Sequence, residues 1–241
     1  MNTKTTLNHP RDRFIIATGV VKWILVNLIF LLALGISLFI AAGRLDWRLG
    51  WIFLGVVTVG QVTATLMLLA TNPTLLGERA WMQKGSKPWD KVIVSLGDAG
   101  WLLTGIIAGL DTRFSWSPRL GVGFSVVGFL LMVVGYTVFL WAMVSNRYFS
   151  SFVRIQSDRG HTVETGGPYR YVRHPGYVGA LLVYMASPLA LASLWTFFSA
   201  ALLLVLFVFR TALEDRTLQA ELEGYAEYAQ RVRYRLLPGV W

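Results

Sequence analysis

The chain has 241 residues, 55% of them hydrophobic and only 15% charged, with no cysteine and a mean hydropathy of +0.54. Soluble domains carry about 25% charge, so this composition and its long apolar runs point to an all-α, polytopic integral membrane protein. The net charge of +9 is spread between apolar segments rather than gathered into a stripe, which argues against nucleic acid; the missing cysteine removes disulfides and a thiolate nucleophile, and His9, His161 and His174 lack metal-ligand spacing.

Six spans are predicted, each close to the ~20 residues that a bilayer core requires. The first covers 21–42; polar residues 1–13 precede it and no small-residue cleavage site follows, so it reads as an anchor rather than a signal peptide. The second covers 49–71, entered through the turn GRLDWR. The third, 91–110, contains Asp98, which is read as paired with a neighbouring span or close to the interface and not as catalytic. Its Gly105 and Gly109 form a small-xxx-small pair suited to close helix packing. The fourth covers 119–144. The fifth and sixth, 175–193 and 195–213, are joined too tightly to hold a domain between them and form a helical hairpin. An amphipathic tail helix follows, with Glu221, Glu223 and Glu227 facing water.

Orientation follows from the basic residues. Eighteen of the 22 Lys and Arg lie in the N-terminal segment, the second-to-third and fourth-to-fifth connections, and the tail. Arg44, Arg48, Arg113 and Arg119 make up the opposite side. The positive-inside rule then places both termini and the 146–174 connection in the cytoplasm, and the alternation requires an even number of spans.

The fourth-to-fifth connection holds GGPYRYVRHPGYVG, residues 166–179. Gly166-Gly167-Pro168 sets a tight turn. Tyr169, Tyr171 and Tyr177 suit an interface, and Pro175 fits a first helical turn. Arg173 and His174 then stand at a helix mouth, where free N–H groups and the helix dipole favour a carboxylate or phosphate. A second concentration is FRTALEDRTLQAELEGYAEY, residues 209–228. Arg210 and Glu214 are four apart, hence on one helix face and able to pair. Glu214 and Asp215 emerge where the apolar part of the sixth span ends, and ionisable groups at that depth are functional candidates.

These segments, with GYAEYAQRVRYRLLPGVW after them, resemble the isoprenylcysteine carboxyl methyltransferase family and its bacterial relatives, a wider group that includes membrane phospholipid methyltransferases. The resemblance covers residues 146–241; NPTLLGER at 72–79 is a softer likeness. It implies one integrated domain, in which 1–145 is a membrane bundle and 146–241 the catalytic and cofactor-binding region. It further implies S-adenosyl-L-methionine as cofactor, no metal, and a lipophilic acceptor in a bacterial inner membrane. Carried onto this chain, the cofactor side comprises Tyr169, Tyr171, Arg173, His174, Pro175, Tyr177, Gly179 and Asp215. Asp215 stands where the family has a second glutamate. Arg210, poised by Glu214, forms the expected catalytic clamp for an acceptor carboxylate. The acceptor stays open between an isoprenoid-linked carboxylate, a small hydrophobic thiol and a phospholipid amine. A membrane reductase of related helical architecture and a small transporter are the competing readings.

Overall fold

The computed structural model describes residues 10–80, 83–118 and 120–241; His9, Lys4 and Arg119, used in the charge and ligand readings, lie outside them. The described residues are helical with no strand. The elements are α1 (Pro10–Ala42), α2 (Arg48–Thr71), α3 (Pro73–Ala80), α4 (Pro88–Phe114), α5 (Val122–Ser145), α6 (Pro175–Ala190), α7 (Thr196–Glu221) and α8 (Tyr225–Arg231). Five of them are long and apolar enough to cross a membrane: Ala17–Ala42 of α1, and α2, α4, α5 and α7. Their outward faces carry Ile29, Leu32, Ile36 and Ile40 on α1 and Leu202, Val205 and Phe209 on α7, all exposed. Such faces are stable only against lipid.

The predicted fifth span is shorter than expected. At 16 residues and about 1.5 Å per residue, α6 falls short of the ~30 Å hydrocarbon core. Pro188 lies inside its last turn, Ala192 has φ 53°, and the Ser193 N–H closes back on the Pro188 carbonyl. Together they stop the helix and turn the chain into α7. The hairpin itself is present and antiparallel, since Tyr177 near the start of α6 meets Glu214 late in α7 while Tyr184 meets Phe207. In turn α7 runs on without a break to Glu221, well past the predicted end at 213.

Glycines set the helix spacing. A Cβ on Gly109 would lie 2.5 Å from the Leu38 carbonyl oxygen, and one on Gly179 would lie 2.5 Å from the Phe139 nitrogen. Gly105 and Gly109 therefore seat α4 on α1, as the small-residue pair suggested, and Gly179 seats α6 on α5. The bundle has two differently built ends. At one, Asp111 accepts from Ser117 and Ser193 and joins α4 to the hairpin turn. At the other, Lys87 pairs with Glu221 at 2.6 Å, the Lys87 N–H donates to the Val153 carbonyl, and Asn72 donates to the Arg147 carbonyl. This second end gathers α3, the 146–174 connection and the tail. The α3 helix, left as connection by the sequence pattern, buries Leu75 and Leu76 against Trp23, Ala64 and Met143.

Candidate active site

The site is assembled where the start of α6, the late part of α7, the start of α4 and the 146–174 connection converge. Gly167 takes φ 51° and opens a tight turn over Gly167–Arg170. That turn buries Tyr169, whose carbonyl accepts from the Tyr228 hydroxyl at 2.7 Å and whose own hydroxyl accepts from Asn146. Burial raises the Tyr169 phenol above its ordinary value, so the ring stays neutral. Tyr171, by contrast, is 59% exposed and does not line the cavity described below.

The expected anion clamp at the α6 mouth is already filled by the chain itself. The Arg173 and His174 N–H groups donate to the Tyr234 and Arg235 carbonyls at 2.9 Å each. The Arg173 guanidinium donates to both Asp215 oxygens at 2.7 and 3.0 Å and to the Val232 and Arg233 carbonyls. Asp215, fully buried, also accepts from Arg235, Tyr225 and Gln219 and lies 3.4 Å from the His174 ring. It is a hub that ties α6, α7, α8 and the tail together. A carboxylate with so many donors nearby has no lone pair left to offer. Pro175 starts α6 and Gly179 packs on α5; neither faces the cavity described below.

The Arg210–Glu214 pair is a second correction. Arg210 reaches across to α4, where its Nε and Nη2 donate to Asp90 at 2.8 and 3.2 Å, and Nη2 also donates to the Ser151 carbonyl. Helical spacing permits the Glu214 pair, but a bidentate carboxylate on a facing helix satisfies the guanidinium fork better than a neighbour on the same face. Glu214 instead accepts from the Tyr177 hydroxyl. Tyr177 stacks on His174, and the Arg210 guanidinium lies 5.1 Å from the Tyr177 ring centroid.

These groups border a cavity of about 460 Å³, within the usual range for small-molecule sites. One end is lined by Tyr169, Tyr177, Glu214, Tyr225 and Tyr228; the other runs between Trp23, Phe30, Val57 and Val183. Arg173, His174 and Arg210 contribute to the wall with their polar groups already engaged. Asp98 faces the cavity too, with no hydrogen bond to another described residue, rather than paired with a neighbouring span. Among the described residues, no group of three or more His, Asp or Glu is placed to hold a metal ion. Sequence reasoning missed Asp90, Arg79, Tyr225 and Tyr228. Asp90 sits just outside the predicted third span, and the Tyr-x-x-Tyr spacing of 225 and 228 was the available signal for the last two.

Residues 124–223 match the family model described as phospholipid methyltransferase. The chain is 33% identical over 119 residues to a rice protein (Oryza sativa subsp. indica) named probable protein-S-isoprenylcysteine O-methyltransferase, covering 45% of this chain and 58% of that one. The same figures hold for its counterpart in subsp. japonica. It is also 24% identical over 232 residues to the Delta(14)-sterol reductase TM7SF2 of Mus musculus, covering 80% of this chain and 53% of that one. The chain thus spans little more than half the length of the curated relatives it matches.

Proposed function

We propose that this chain belongs to the isoprenylcysteine carboxyl methyltransferase family and transfers a methyl group from S-adenosyl-L-methionine to a carboxylate on a lipophilic acceptor. The observation that carries the reading is the joined cavity, with a tyrosine-and-carboxylate end at Glu214 and an apolar end suited to a lipid chain. The donor set fits the cofactor: tyrosine faces and an unneutralised carboxylate suit a sulfonium, and Leu218 and Leu222 suit the flat face of an adenine. Tyr169, Tyr177, Glu214, Tyr225 and Tyr228 are the residues that would hold it. When bound, it supplies an electrophilic methyl; a carboxylate oxygen gains that methyl as the sulfonium becomes a thioether, and no proton leaves.

The protein's task is then orientation and dryness. Opposite charges cancel in the displacement, so water would slow it by stabilising both. Trp23, Trp101 and Phe207, all at least nine-tenths buried, wall off that space. Arg210, held in place by Asp90, and Tyr177, held by Glu214, fix the walls at the junction of the two ends, and in-line placement is the larger part of the acceleration. We further propose that the site faces the cytoplasm of a bacterial inner membrane, because the basic connections gather at its end of the bundle.

The match to the mouse sterol reductase supports a second reading, a nicotinamide-dependent reductase. It is disfavoured because Arg173 and Arg210 are already bound to Asp215 and Asp90, which takes two of the cavity's guanidiniums away from a pyrophosphate. Calorimetry on detergent-purified protein decides between the two. S-Adenosyl-L-methionine or its demethylated product is expected to bind with or without a chelator, and reduced nicotinamide dinucleotide is not. No binding of the methyl donor at millimolar concentration, in folded protein, would sink the methyltransferase.

Asp98→Asn separates the acceptor classes. A carboxylate acceptor needs no base, so the variant is expected to keep most methyl transfer from labelled cofactor into a lipid extract. Near-complete loss in folded protein would instead mark Asp98 as the partner of an amine.

A further inference from the structure

Most of the arginines around the cavity are matched by carboxylates. Asp90 takes Arg210, Asp215 takes Arg173 and Arg235, and Arg154 bonds Asp158. Arg79, at the end of α3, stands apart. Its guanidinium lies 5.3 Å from the Trp23 ring centroid and 5.2 Å from that of Phe149, and Nη1 donates to the Phe149 carbonyl at 3.0 Å. Its Nε is buried without a hydrogen-bond partner, and no carboxylate among the described residues pairs with it.

A partly buried guanidinium on the cavity wall with no carboxylate beside it is costly unless a ligand completes it. Holding it between two rings maintains its position and leaves part of its donor fork unused. Trp23 is also part of the apolar end of the cavity. A chain lying along Trp23, Phe30 and Val57 would therefore bring its polar terminus to the same side chain that Arg79 covers. We propose that Arg79 is the seat for the acceptor's carboxylate, an assignment that rests on the methyl-transfer reading above. Burial, and Arg210 nearby, lower the Arg79 guanidinium to about 10. It stays charged at neutral pH, so an incoming carboxylate meets a cation.

The test uses full-length protein in detergent and a matched pair of probes, a prenyl thioether ending in a carboxylate and its neutral primary amide. Cofactor binding to wild type is measured first, so that failure of the methyltransferase reading is seen separately. Wild type is expected to prefer the acid over the amide by about one to two decades. Arg79→Gln and Arg79→Ala should remove that preference, leaving amide affinity and cofactor affinity within about two-fold, and Arg79→Lys should restore part of it. Equal binding of acid and amide by wild type, or a preference that persists in Arg79→Gln, overturns the proposal. So does a loss of cofactor affinity in place of the acid preference, which would assign Arg79 to the methionine carboxylate instead.

Discussion

Replacing Asp215 with alanine is expected to unfasten the tail from the bundle and abolish activity. The carboxylate is fully buried and accepts from Arg173, Arg235, Tyr225 and Gln219. Its removal leaves two guanidiniums buried or half-buried without a counter-charge. Breaking a buried pair from one side costs about 3–5 kcal/mol, a large share of the stability of any domain. Asp215→Asn keeps the shape and some acceptor capacity and should fall between wild type and alanine. The measurement is the thermal unfolding midpoint in detergent alongside limited proteolysis of the tail. A cofactor-ligand role predicts something different: an unchanged midpoint and protease pattern with weakened cofactor binding. That outcome would overturn the hub.

The second large effect concerns Arg210. Because its fork closes on Asp90 and not on Glu214, the two candidate partners make opposite predictions in double-mutant cycles. Arg210→Ala and Asp90→Ala should each cut single-turnover methyl transfer steeply. Their double variant should lose little more than the worse single, a coupling of roughly 1–3 kcal/mol. Asp90 also accepts from the Val153 N–H at 2.7 Å, so its loss loosens the 146–174 connection as well. The Arg210/Glu214 cycle should be close to additive, since Glu214 serves Tyr177. Arg210→Lys should fail substantially, because an ammonium cannot span both Asp90 oxygens. Strong coupling to Glu214 together with additivity against Asp90 would return the pair to the face of α7.

The span limits were largely legible because hydrophobic length is a local property. The predicted 49–71 became Arg48–Thr71 and the predicted 119–144 became Val122–Ser145. The fifth span was overestimated because Leu189-Ala190-Leu191-Ala192 prolongs the apolar composition of α6 as far as Ser193. Nothing in the hydropathy of that stretch shows that Pro188 and the left-handed Ala192 turn it. Glu221, Glu223 and Glu227 face water as read, for the same local reason. The α3 helix was missed because eight residues are too few for a pattern to stand out, and its buried Leu75 and Leu76 have meaning only against α1 and α2.

By itself the sequence determined the all-helical membrane class, the hairpin and the family likeness. Each of these follows from the order of residues along a single stretch of chain. Only the tertiary structure decided which charges neutralise one another. Arg210 finds Asp90 across 120 positions and Arg173 finds Asp215 across 42, and such choices turn on the direction of a guanidinium fork and the burial of its partner. A motif places arginines, a histidine and two acids close together on paper. Packing then consumes most of them in holding the site, and leaves Glu214, the tyrosine faces and Arg79 at its surface.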